Sequence, residues 1–199
     1  MLSSPLLAWP PVRLVLLVLL TATAANAQAE LPPQSAPTPV ALQEAGADTT
    51  SDGRTETELA VEATIAEPGV HVVHFWAPWC GNSRAEFEAG WYEVVEANPD
   101  VSFSFVAIWN DGRDSADRLA RYGITPGGHV AVYAQPDRGP TAERSLRRRA
   151  FLGLPLSWTP TTWIFNREGQ LAYAFNYGEV SPDMLATAIE HARDEWTHD

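Results

Sequence analysis

The sequence predicts an α/β domain in which a central mixed sheet is covered by helices on both faces. Three observations carry this expectation. Short, continuously apolar runs alternate with segments of helical period in the order α-β-α-β-α. Two late β-rich runs, Thr161 to Phe165 and Leu171 to Phe175, flank Asn166-Arg167-Glu168-Gly169 and read as a hairpin. A last periodic segment follows Ser181-Pro182, a cap with proline at the first helical position.

The N-terminus reads as a targeting segment. Arg13 precedes the apolar run Leu14 to Leu20, which fades into small residues ending Ala25-Asn26-Ala27. A positive flank, a short apolar core and an A-x-A site predict a secretory signal peptide over 1–27. The stretch falls short of the about 20 residues a spanning helix needs, which favours cleavage over an uncleaved anchor in the inner membrane. Export to a bacterial periplasm is expected, with no membrane span after signal cleavage. Residues 28–55 are rich in Pro, Ala, Gln, Ser and Thr without apolar period, and read as a disordered linker. The folded domain is expected over 56–199.

Within it, Thr57 caps a first helix with Leu59, Ala63 and Ala66 on one face, stopped by Pro68-Gly69. Val70 to Trp76 is a buried strand. A second helix starts near Cys80, carries Phe87, Trp91, Val94 and Val95 on one stripe, and ends at Asn98-Pro99-Asp100. Val101 to Trp109 is the next strand, and Asp114 to Tyr122 a short helix stopped by Gly123. The closing helix aligns Leu185, Ala188, Ile189, Ala192 and Trp196.

Composition narrows the function. Thirteen arginines and no lysine face 25 acids, giving a net charge of −12, which disfavours a bulk electrostatic grip on nucleic acid or anionic lipid. Cys80 is the one cysteine, so neither an internal disulfide nor a dithiol cycle can form within one chain. A disulfide-linked homodimer through Cys80 stays open. His71 and His74 point to opposite faces of a strand and cannot hold one metal together. No metal or cofactor is expected.

The chemistry-bearing segment is His74-Phe75-Trp76-Ala77-Pro78-Trp79-Cys80-Gly81-Asn82-Ser83-Arg84-Ala85-Glu86. It places a lone thiol where a buried strand gives way to a helix. Backbone N–H groups and the helix dipole at such a junction favour the nucleophilic thiolate. The plain alternative is a small buried hydrophobe. Trp76, Trp79 and Trp158 are candidates for lining the site, whereas Trp91, Trp163 and Trp196 fall on core stripes.

This segment resembles the W-C-x-x-C signature of the thioredoxin superfamily, and in particular the exported thioredoxin-like disulfide reductases, whose motif continues much as Ser83-Arg84-Ala85-Glu86 does. Arg121-Tyr122-Gly123-Ile124 and Thr159-Pro160-Thr161-Thr162 fall in the family's order. The resemblance implies a thioredoxin-like fold, with Pro160 as a cis-proline facing the thiol and Thr159 offering backbone groups to a bound peptide. It further implies Cys80 and Ser83 as the catalytic positions. Trp79, Gly81, Asn82, Thr159 and Pro160 would contact substrate, and Trp76 and His74 would support the site.

Three departures from the family pattern matter. Ser83 stands at the resolving cysteine; it forms no S–S bond, but could donate a hydrogen bond to the Cys80 thiolate, or serve only as a first-turn polar residue. His74 stands where thioredoxins carry a buried acid, and a buried neutral histidine is the favoured reading. An insertion of about 126–157 precedes the cis-proline strand. It holds a possible strand from His129 to Tyr133, a turn at Pro136 to Pro140, and Arg144, Arg147 and Arg148 on one helical face. That face is read as solvated, with an acidic docking partner as the alternative.

The expected function is a monothiol thiol-disulfide oxidoreductase acting through Cys80, with a cysteine-containing exported protein or a low-molecular-weight thiol as partner. The alternative is a non-turnover binding module of the same fold, a chaperone or a covalent client trap.

Overall fold

In the computed structural model the described residues are 53–176 and 179–194, all within one unit spanning 42–199. The expected signal, the linker up to residue 52 and Trp196 lie outside them.

Helix α1 (Glu56–Ile65) opens on a capping box. Thr55 Oγ1 accepts from the Glu58 N–H at 3.1 Å, and the Glu58 carboxylate accepts from the Thr55 N–H at 3.0 Å. The cap is therefore Thr55, not Thr57, because only Thr55 has glutamate three positions on. Thr55 is fully buried and belongs to the domain rather than to the linker. The inward face is Thr57, Glu58, Val61 and Ile65, not the expected Leu59, Ala63 and Ala66.

Strands β1 (His71–Trp76) and β2 (Ser102–Ala107) lie parallel, with Val73 opposite Ser104. Between them run α2 (Gly81–Glu88) and α3 (Trp91–Ala97). The expected single helix is broken at Gly90, whose φ of +128° is a conformation that residues with a Cβ rarely adopt. The stripe survives the break: Phe87, Trp91, Val94 and Val95 are all buried.

After β2, α4 (Ala116–Leu119) is shorter than expected. Ser115 just before it is left-handed at φ +54°, so the helix cannot extend back to Asp114. A 3₁₀ turn, Ala120–Tyr122, ends at Gly123. There φ is +80°, and a Cβ would stand 2.7 Å from the Tyr92 ring.

The insertion is more than a surface addition. Its strand β3 (Val130–Ala134) pairs in parallel with β2 and forms one edge of the main sheet. The basic stretch holds only a 3₁₀ turn, Arg144–Leu146, and Arg147 is extended, so the expected shared helical face of Arg144, Arg147 and Arg148 does not exist. A two-stranded ribbon, β4 (Ala150–Phe151) with β5 (Leu154–Pro155), completes it.

Strand β6 (Thr161–Phe165) pairs antiparallel with β1, and β7 (Leu171–Asn176) antiparallel with β6. The sheet order is β3-β2-β1-β6-β7. Helix α5 (Pro182–Arg193) is capped by Ser181 and buries Leu185, Ala188, Ile189 and Ala192.

Side-chain alternation along the strands feeds two cores. Val72 and Trp76 pack on one face with Phe87, Trp91, Leu119 and Ile189. Val73 and Phe75 pack on the other with Val61, Ile65, Phe151 and Leu156, so α1 and the insertion together cover that face. Burial of each such side chain is worth roughly 1.5–3 kcal/mol, which makes the β1 to α2 junction a rigid platform.

Candidate active site

The platform ends at Trp76, and the chain leaves the sheet through Ala77, Pro78 and Trp79. Cys80 is the N-cap of α2, in extended conformation, with its thiol partly exposed. The thiol donates to the Thr159 carbonyl oxygen at 3.6 Å. The Thr159–Pro160 peptide bond is cis, and Pro160 is buried at the head of β6. Thiol and X-Pro pair thus meet because β1 and β6 are sheet neighbours.

A parallel β1-β2 pair crossed by α2 and α3, with an antiparallel β6-β7 hairpin beside β1, frames a helix-start cysteine against a cis-proline. The fold is thioredoxin-like. No family model matches the chain, and no curated protein matches it. Among solved structures it is similar to a secreted thiol-disulfide isomerase from Corynebacterium glutamicum, at 21% identity and TM-score 0.48, over 66% of this chain and 75% of that one. A thio-disulfide isomerase from Thermus thermophilus is 28% identical at TM-score 0.43, over 67% and 84%. A secreted Mycobacterium tuberculosis disulfide oxidoreductase homologous to E. coli DsbE is 19% identical at TM-score 0.45, over 64% and 85%. These likenesses are loose, and strand order and site geometry carry the fold on their own.

Ser83 is 1% exposed. Its Oγ accepts from the Ala77 N–H at 3.2 Å and lies 3.4 Å from Thr159 Oγ1. Among the described residues no hydrogen bond joins it to Cys80, so of the two readings the sequence left open the donation is not seen here. One turn of α2 carries Ser83 inward, where it ties the β1 exit to the Thr159 loop. Gly81 is exposed at the opening of α2, and Asn82 beside it is half-buried.

His74 lies on the α2-α3 side of the sheet, wholly buried against Trp91 at 4.3 Å and Phe87 at 5.2 Å between ring centroids. Nδ1 is hydrogen-bonded with Thr162 Oγ1 at 3.0 Å. Burial pushes its pKa down to about 3, so the ring is neutral at physiological pH.

Trp79 and Trp158 are 54% and 63% exposed near the thiol. Trp79 is held firmly. Its indole N–H donates to the Trp109 carbonyl at 2.8 Å. The Arg147 guanidinium stands 5.6 Å from its ring centroid and 5.7 Å from that of Trp109. Trp109 donates in turn to the Arg148 carbonyl at 2.9 Å. The basic stretch of the insertion is folded onto the active-site loop, an arrangement the sequence analysis did not find.

On the other side of Cys80 opens a pocket of about 240 Å³, lined in part by Trp76, Arg84, Arg118, Arg121 and Tyr122. Arg118 reaches across to donate to the Pro78 carbonyl at 2.7 Å. Sequence reading missed Arg118 and Arg121 as site residues. They lie far from Cys80 in the chain, and only the path of α4 and the 3₁₀ turn after it brings them to the pocket that Cys80 also lines.

Proposed function

We propose that the chain is a monothiol thiol-disulfide oxidoreductase acting on exported proteins or on mixed disulfides. The observation that supports this reading is the partly exposed Cys80 thiol at the start of α2, 3.6 Å from the Thr159 carbonyl oxygen. A site built this way presents one nucleophile beside a strand-like edge on which an extended peptide can pair.

The Cys80 thiolate attacks one sulfur of a substrate disulfide R–S–S–R′. A Cys80–S–S–R bond forms, the substrate S–S bond breaks, and R′S⁻ leaves and takes up a proton. A second thiolate, from the substrate or from a small thiol, attacks the R sulfur and returns the Cys80 thiolate. Each step is an exchange with no net oxidant. Ser83 cannot resolve the intermediate, since a hydroxyl forms no S–S bond, so release depends on an outside thiol. Disulfide shuffling and removal of mixed disulfides suit this site. The signal-like residues 1–27 support a periplasmic setting, and no helix among the described residues is long and apolar enough to cross a membrane.

The test is reaction with bis(2-hydroxyethyl) disulfide followed by intact mass, with a small thiol then added. Adduct formation on the native chain, its absence in Cys80→Ala, and repeated release on thiol addition support the reading. A stoichiometric adduct that persists in excess thiol assigns the alternative, a covalent trap. An unreactive Cys80 sinks both.

A further inference from the structure

We propose that the pocket beside Cys80 is a binding site for the carboxylate-bearing portion of a low-molecular-weight thiol, gripped by Arg118 and Arg121 with Arg84 at its rim. The proposal deepens the reading of Cys80 as the reacting thiol and rests on it for its chemistry, though not for the binding itself.

Three arginines line one small pocket in a chain with 25 acids and 13 arginines, and among the described residues no carboxylate lines it. Neighbouring acids do touch two of them at the surface: Glu88 lies 3.7 Å from Arg84, and Asp117 lies 4.0 Å from Arg121. Exposed pairs of this kind bind weakly and leave the guanidinium forks open to a better acceptor. Arg118 is held in place by its donation to the Pro78 carbonyl at 2.7 Å, next to the loop that carries the thiol.

A second, independent feature lies at the same pocket. Trp76 is 2% exposed, lines this pocket, and has an indole N–H with no hydrogen-bond partner among the described residues. A buried donor left unpaired is destabilising, and a ligand oxygen that reaches it would relieve that cost. The wall beside it is apolar: the rings of Phe87 and Tyr122 stack at 5.3 Å, offering a surface to a short methylene chain. A volume of about 240 Å³ suits a small compound rather than a folded partner.

The ligand is thus a small thiol with one or more carboxylates a few bonds from its sulfur. In its mixed disulfide R–S–S–R′ the carboxylate half R occupies the pocket. Cys80 attacks the R sulfur, Cys80–S–S–R forms, and R′S⁻ departs with the proton that Cys80 gave up.

The experiment uses S-methylglutathione, which carries the carboxylates but cannot exchange disulfides, titrated into Cys80→Ala protein. Tryptophan indole N–H resonances are followed by NMR. The expected result is saturable binding at millimolar concentrations or below, with the Trp76 indole signal shifted. Arg121→Gln and Arg118→Gln should each weaken binding about tenfold or more, as loss of a charge-assisted contact predicts. The dimethyl ester of the same probe should not bind. Absence of saturation, equal binding of the ester, unchanged binding in both arginine variants, or binding of an acidic peptide but not of the probe would each overturn the proposal. Arg121 is exposed, so its variant keeps the test sound even where Arg118→Gln disturbs the Pro78 loop. Reaction of the native chain with the neutral bis(2-hydroxyethyl) disulfide reads the thiol chemistry separately. An inert Cys80 with a binding pocket removes the oxidoreductase and keeps the site.

Discussion

The Cys80 thiol and the Thr159 carbonyl oxygen stand 3.6 Å apart across the gap between α2 and β6. Thr159 also reaches the buried Ser83 hydroxyl through its own Oγ1 at 3.4 Å. One residue therefore addresses both positions of the C-x-x-S motif, the cysteine from its carbonyl and the serine from its side chain.

That geometry predicts the outcome of Ser83→Cys. The new thiol would sit in the first turn of α2, three residues after Cys80, at the spacing of dithiol sites. Mild oxidation should then consume both thiols together and lower the intact mass by two hydrogen atoms, without dimer formation. Turnover in insulin reduction with dithiothreitol should rise severalfold over the native chain. A variant that stays a free dithiol under oxidant would show that the buried Ser83 position cannot reach Cys80.

His74 predicts an acid-sensitive fold. In the unfolded chain it takes up a proton near the ordinary histidine value of 6.5, whereas in the folded chain burial holds it neutral down to about 3. The unfolded state thus binds the extra proton between these values, and stability is lost as pH falls through that window. From pH 7.5 to pH 5 the loss from this one group should be about 2 kcal/mol in urea unfolding. His74→Leu should flatten that slope, and an unchanged slope would contradict the assignment.

Arg147 is predicted to hold the active-site loop. Its guanidinium lies over both Trp79 and Trp109, and its Nε–H donates to the Thr141 carbonyl at 2.8 Å. Arg147→Ala should cost about 1–2 kcal/mol and raise iodide quenching of tryptophan fluorescence as Trp79 is freed. Arg147→Lys should recover part of the stability, since the charge remains but the planar stacking does not. Equal quenching in all three proteins would argue against a latch.

The Thr55 cap gives a plain stability test. Thr55→Ala removes one half of the box, and the Glu58 carboxylate also accepts from the Leu152 N–H at 3.0 Å, tying α1 to the insertion. A loss of about 1–2 kcal/mol is expected, with Thr55→Ser close to the native chain. A neutral Thr55→Ala would mean that α1 contributes little to the unfolding transition.

Much of the fold is legible along the chain because burial imposes a local period. Val70 to Trp76 and Thr161 to Phe165 read as strands, and α5 shows its apolar stripe from Leu185 to Ala192. The misreadings have local causes too. Gly90 and Ser115 adopt positive φ where helical period alone runs on, and α1 turns polar Thr57 and Glu58 inward because the capping box and the insertion satisfy them. Strand β3 was read within the insertion, but its membership of the main sheet depends on pairing with β2, which no local pattern encodes.

The sequence by itself determined that there is one thiol, that it begins a helix after a buried strand, and that no second cysteine can resolve what it forms. Only the tertiary structure decided what surrounds that thiol. Thr159 reaches it because β6 pairs with β1, Ser83 is buried and bonded to the Ala77 N–H, Arg118 and Arg121 line the pocket beside it, and Arg147 comes from the distant insertion to stand over Trp79. Periodicity records which face of an element is buried, since each residue feels that locally. Which polar groups meet depends on sheet register and on how elements cross, and those are properties of the packed whole.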